Sequence, residues 1–197
     1  MSRARPKIIS PPEFDRTGAD LEEFVETWLA SSTPSQNVGL LDELCLGLLT
    51  DVFDTVGGSE GTVWLADSEE KNLVAVYNSG EHAADLVGFE QPVGSGIISL
   101  VYAQQQPYCE NDIHRSSGHD DTLDRKMHLH TVAMIAVPFY FGFGLRGVIS
   151  CVQLEEKPGT GKGFDSAHVE KLVRAANLVE RLVTASILSG ALGLNEG

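Results

Sequence analysis

No apolar run in the chain approaches the roughly 18 to 20 residues that a membrane span requires, and its start lacks the apolar stretch of a signal peptide. Cysteine is scarce. Cys45, Cys109 and Cys151 stand far apart, with no C-x-x-C pair and no even-numbered framework, so they are read as buried thiols in a reducing compartment. These absences point to the cytoplasm. Basic residues are also few: 14 Lys and Arg stand against 28 Asp and Glu, a formal charge of −14 and a pI near 4.7. Such a surface repels phosphate backbones and anionic membranes, so neither nucleic acid nor membrane is expected as a partner. Arg3, Arg5 and Lys7 lie at the very start; taking these three from 14 leaves 11 basic residues against 28 acidic in the rest.

What is present is an ordinary globular composition, 42% hydrophobic and 21% charged over 197 residues, enough for one domain and some extra helix. Residues 1–16, with Pro6, Pro11 and Pro12, read as an extended arm. Leu21, Phe24, Val25, Trp28 and Leu29 recur at helical spacing behind Asp20, a good N-cap, and 31–37 breaks that helix. From Val38 to Val56 the apolar positions Leu41, Leu44, Cys45, Leu48, Leu49, Val52 and Phe53 keep helical spacing until Gly57 and Gly58. The runs 62–66 and 73–77 predict a β-hairpin across a polar turn, and 86–90 a third strand. Pro92-Val93-Gly94-Ser95-Gly96 then turns the chain into a helix over 97–105.

A long polar loop, 106–130, precedes two apolar strands over 131–140 and 147–154 that flank a glycine-containing turn, 141–146. Residues 157–163 are a connector. Phe164 and Asp165 open a final helix, Asp165 as N-cap and Phe164 as a staple onto Val169. That helix has two apolar faces, one through Val169, Leu172, Val173, Ala176 and Val183, the other through Leu178, Leu182, Ala185 and Leu188. A single sheet covers only one of them, so the other needs the 38–56 helix or a second copy of the chain.

Three motif matches fail on context. Gly142-Phe143-Gly144-Leu145-Arg146-Gly147 fits G-x-G-x-x-G but joins two strands, with no helix N-terminus to receive a pyrophosphate. Gly57-Gly58-Ser59-Glu60-Gly61 fits G-x-S-x-G but runs from helix to strand, the reverse of a nucleophile elbow. The stretch 158–163 is similar to a P-loop, yet Glu156 stands where its first glycine belongs and Gly163 where Ser or Thr would take magnesium.

Pro92-Val93-Gly94-Ser95-Gly96-Ile97, Gln106-Pro107-Tyr108 with Asn111-Asp112, Ala136-Val137-Pro138-Phe139 followed by Leu145-Arg146-Gly147-Val148-Ile149, and Phe164-Asp165 occur in an order and spacing that resemble a GAF domain over roughly 38–188. The resemblance implies an α+β fold, similar to profilin and PAS domains. In it, N- and C-terminal helices back one face of an antiparallel sheet and loops cover a ligand pocket on the other. The division expected is a 1–37 arm and helix, a 38–190 GAF-like domain and a 191–197 tail.

By family position, the resemblance assigns ligand binding to Gly96, Ile97 and Val101 at the helix start, Asp112 and His114 on the lid, and His128, His130, Thr131 and Met134 at the strand entry. It implies a non-enzymatic sensory or regulatory module for a small ligand, a possible signalling partner, and a homodimer through Leu41, Leu48, Leu178, Leu182 and Ala185. Two alternatives stand beside it. The loop histidines His114, His119, His128 and His130 lie among aspartates, residue types that bind metals, and His128 stands upstream of Val137-Pro138 much as the axial histidine of haem-binding GAF sensors does. The second alternative is a free methionine sulfoxide reductase, but where that group has a cysteine this chain has Ile98 and Ser99, and Cys109 is the only nearby thiol. Neither a covalent bilin nor an anionic cyclic nucleotide is expected: the loop has no cysteine beside a histidine, and the surroundings are acidic.

Overall fold

The computed structural model describes residues 12–113, 130–155 and 163–194. The helical segments ahead of the sheet are α1 (Pro12–Ala30), α2 (Pro34–Asn37), a 3₁₀ turn (Val38–Leu40) and α3 (Glu43–Thr55). The hairpin β1 (Glu60–Ala66) and β2 (Asn72–Asn78) follows, then α4 (Ala83–Leu86), β3 (Glu90–Pro92), α5 (Gly96–Gln104) and β4 (Tyr108–Glu110). The chain ends in β5 (Thr131–Phe141), β6 (Gly144–Leu154) and α6 (Ser166–Ala191). The strands form one antiparallel sheet in the order β3-β2-β1-β6-β5-β4.

Helix α6 packs across β5 and beside α3, α3 reaches β1, and α1 lies against the far part of α6. Val25, Leu49, Phe53, Leu172, Val179 and Val183 from the helices meet Val63, Ile135, Val137, Phe139 and Ile149 from the strands in the main core. Each such large side chain taken fully from water contributes about 1.5–3 kcal/mol before entropy is counted.

Several elements differ from the sequence reading. Residues 12–16 of the expected arm are helical, and Asp20 lies inside α1 rather than at its cap. The expected 38–56 helix is interrupted. Leu41 leaves helical geometry (φ −86°, ψ 87°), and Asp42 restarts the helix by accepting the Cys45 N–H at 2.8 Å. A side-chain acceptor here satisfies one of the orphan donors of the new first turn, which hydrophobic spacing does not reveal. The third strand forms at 90–92, after the short helix α4, and the long loop contains β4.

The turn in the G-x-G-x-x-G stretch is a tight hairpin of Gly142 and Phe143, both at positive φ (53° and 70°). That geometry matches the strand twist and favours glycine. An added Cβ on Gly142 would also lie 2.4 Å from Leu29, so the turn packs directly under α1. Leu41 is 5% exposed and sits in the core, so it offers no surface to a second copy. Among the described residues, no helix is long and apolar enough to cross a membrane.

Candidate functional site

Strand alternation sends every second side chain away from the long helices. Trp64 on β1, Leu73 and Ala75 on β2, Ala136 on β5 and Val148 on β6 form a second, separate apolar cluster on this distal face. Helix α5 covers it with Ile97, Ile98, Val101 and Tyr102, while Leu86 of α4 and Ile113 close its edges. An element that is apolar on nearly every side belongs in an interior, and α5 is such an element. It is anchored at both ends. The Ser99 hydroxyl donates to the Pro92 carbonyl at 3.0 Å, and the Tyr140 hydroxyl donates to the Gln105 side chain at 3.1 Å.

Polar groups on this face are few and paired. Trp64 Nε1–H donates to Ser150 Oγ at 3.0 Å, a buried bond, and the indole meets Phe89 edge-on. At the β1–β2 end, the buried Glu60 carboxylate contacts His82 and accepts from Asn78 Nδ2 at 3.2 Å; Asn78 Nδ2 also donates to Thr62 at 3.0 Å. Glu60 belongs to the G-x-S-x-G stretch, and its role there is to hold the β2–α4 connection.

The residues expected to line a site are only partly together. Ile97 and Val101 are buried in the distal cluster, Met134 packs against it, and Gly96 opens α5 beside it. Thr131 is buried at the start of β5, whereas Asp112 and His130 are exposed. His114, His119 and His128 lie outside the described residues. Among the described residues, no three His, Cys, Asp or Glu side chains converge as a metal site would require.

The GAF domain model matches residues 40–183, nearly three quarters of the chain. The chain belongs to the GAF domain family. GAF domains are generally sensory or regulatory ligand-binding modules and are mostly non-enzymatic. Solved structures agree in fold. The GAF domain of a phosphoenolpyruvate-protein phosphotransferase from Coxiella burnetii has a TM-score of 0.58 at 15% identity, covering 89% of this chain and 96% of that one. Residues 122 to 287 of a methyl-accepting chemotaxis protein give 0.59 at 14% identity, with 85% and 96% covered. A free methionine-R-sulfoxide reductase from Neisseria meningitidis, bound to its substrate, gives 0.50 at 15% identity, with 92% and 98% covered. No curated protein matches the chain.

The three thiols of this GAF domain lie on the helix-backed side of the sheet. Cys45 and Cys151 are buried in the helix-backed core, and Cys109 packs against that same core. Burial pushes Cys45 up to about 11 and Cys151 up to about 12, and it raises Cys109 as well. A reactive cysteine needs the opposite, a thiolate stabilised near neutral pH.

The residue that sequence reasoning left without a role is Asn111. It was visible inside the Asn111-Asp112 pair, but its partners, the backbone groups of Phe164, are 53 positions away. No local pattern signals such a contact.

Proposed function

We propose that this chain is a non-enzymatic sensory and regulatory module that binds a small molecule on the distal face of its sheet. In this reading the site lies between the start of α5 and the entry of β5. The observation that carries it is the unequal treatment of the two sheet faces. The helix side is closed by α3 and α6 and holds all three cysteines, whereas the distal side is covered by the nine-residue α5 and short flanking pieces. The side chains packed beneath α5, among them Ile97, Val101, Met134 and Trp64, are apolar, which suits a ligand with an apolar body. The acidic charge of the chain works against an anionic one.

The module acts as a homodimer through α3 and α6. Leu178 is 44% exposed and Leu44 58% exposed on these two helices, with Leu48 and Leu182 half-buried and Ala185 exposed beside them. Exposed leucines on a packed helix pair are the sort of apolar surface that a second copy covers. Three free cysteines fit a reducing compartment, the cytoplasm.

The test is native mass spectrometry of the purified protein, followed by thermal shifts against a panel of metabolites. A small adduct released on denaturation, or a compound that raises Tm in a saturable way, supports the reading. A protein that carries nothing and responds to nothing in the panel contradicts it.

A further inference from the structure

A cavity of about 110 Å³ lies where the last turn of α5, the β1–β2 turn, the β5–β6 hairpin and the link between α1 and α2 meet. Phe141, in its wall, stands at the end of β5 opposite Thr131, about 30 Å away at the rise of a strand, so this is not the distal-face site proposed above. Part of the wall, from Leu29, Ser32 and Asn37, precedes the 40–183 stretch matched by the family model. Leu65, Phe141 and Leu145 give the cavity an apolar back.

Three of its polar groups are left unmatched. Tyr102 is 8% exposed, yet among the described residues nothing hydrogen-bonds its hydroxyl, and a buried hydroxyl without a partner is destabilising. Burial raises the phenol above its ordinary value of 10, Glu70 adds to the rise and Arg146 opposes it. The group is therefore a protonated donor with charges of both signs close by. Arg146 donates from Nε to the Phe141 carbonyl at 3.3 Å and from Nη2 to the Gly142 carbonyl at 3.1 Å, with Glu26 at 3.6 Å; Nη1 has no partner among the described residues. Asp67 uses both carboxylate oxygens to close the β1–β2 turn, accepting from the backbone of Lys71 and Asn72 and from the Asn72 side chain. Glu70 is exposed in the cavity wall and has no partner among the described residues, since the neighbouring Lys71 pairs with Glu69.

Two donors, the Tyr102 hydroxyl and Arg146 Nη1, and one uncommitted carboxylate, Glu70, line a single cavity. An anion alone would meet two lining carboxylates against one guanidinium, and a cation alone would leave both donors unmatched. We propose that the cavity binds a small zwitterion of the amino-acid class, its carboxylate accepting from Tyr102 and Arg146 and its ammonium meeting Glu70. The volume of about 110 Å³ is less than four times the roughly 30 Å³ that a water occupies in the liquid, which limits the ligand to the size of glycine or alanine. Once bound, it joins the α1–α2 link to both hairpin turns.

The experiment follows the backbone amide NMR spectrum of the full chain during titration with glycine, alanine, acetate and methylammonium in the millimolar range. Glycine or alanine is expected to give saturable shifts in the 67–71 turn and at Gly142, and to bind about tenfold or more tighter than acetate or methylammonium. Tyr102→Phe keeps the ring and removes only the hydroxyl; it is expected to weaken glycine about tenfold. Glu70→Gln, at an exposed turn position, is expected to weaken glycine by a similar factor while strengthening acetate, a crossing that a merely structural role would not produce. The same spectra show whether each variant is folded. The proposal is overturned if neither amino acid gives saturable shifts, the cavity then holding water only. It is equally overturned if acetate or methylammonium binds as tightly as glycine, or if either folded variant binds glycine with unchanged affinity.

Discussion

Asn111 and Phe164 hold each other by two hydrogen bonds: Asn111 Oδ1 accepts the Phe164 N–H at 2.7 Å, and Asn111 Nδ2 donates to the Phe164 carbonyl at 2.9 Å. Asn111 directly follows β4, and Phe164 directly precedes Asp165, the N-cap of α6. Gly163 has φ +73°, and a Cβ there would lie 2.8 Å from Asn111, so the chain passes too close for any side chain. The amide thus ties the edge of the sheet that leads into the 114–129 segment to the root of the longest helix.

Asn111→Ala removes both bonds and leaves the Phe164 backbone groups with one fewer partner each. It is expected to cost about 1–3 kcal/mol in urea unfolding. Asn111→Asp keeps an acceptor for the Phe164 N–H but sets a carboxylate against the Phe164 carbonyl, so it should not rescue. An unchanged midpoint in both variants would show that the tie contributes nothing.

Asp42 and Asp165 cap α3 and α6, and the backbone N–H groups of Cys45 and His168 hold their carboxyls below the ordinary value of 3.8. A depressed carboxyl stabilises the fold fully above its unfolded value, and that contribution is lost as pH falls through the folded value. Tm is therefore expected to be insensitive to these groups near neutrality and to drop below about pH 4. In D42N/D165N, which keeps a capping oxygen without a charge, the drop should be shallower. An acid limb identical to that of the unmodified protein would contradict the assignment.

Cys45 and Cys151 should react with iodoacetamide about a hundredfold more slowly in the native protein than in the unfolded chain, with Cys109 the fastest of the three. Peptide mapping of the alkylated protein reads this directly. The same protein should show no thiol-dependent turnover of methionine sulfoxide. Rapid modification of any of the three, or such turnover, would revive the enzymatic alternative.

Leu178→Arg places a cation on the exposed α6 stripe, and sedimentation velocity should then show monomer where the unmodified protein shows dimer. Because Leu178 is a surface residue, the change in monomer stability should stay within about 0.5 kcal/mol. A dimer that survives both Leu178→Arg and Leu44→Arg would contradict assembly through these helices.

The architecture was largely legible because burial imposes periodicity. The apolar and β-branched runs in 62–66, 73–77, 131–140 and 147–154 and the helical spacing in 166–188 follow from burial, on both faces for the strands and on a stripe for the helix. Boundaries were less legible where a hydrogen bond overrides spacing: Asp42 restarts α3 within an unbroken apolar pattern. The short edge strands at 90–92 and 108–110 have too few residues to show alternation, and they exist because longer neighbours, β2 and β5, offer them backbone partners. Leu41 looked like an interface residue only as long as 38–56 was one helix; the break turns it inward. Ile97, Val101 and Met134, singled out by family position, share the distal apolar cluster, whereas the Asn111 tie was beyond reach because its partner is a backbone.

The central claim, that the distal face takes the ligand, is tested most directly by native mass spectrometry of two surface-directed variants carrying the adduct or added ligand. Met134→Arg, on the distal face, is expected to abolish the bound mass, and Leu178→Arg, on the outer side of α6, to retain it. A bound mass that survives Met134→Arg in a folded protein and disappears with Leu178→Arg would put the ligand on the helix side and contradict the account.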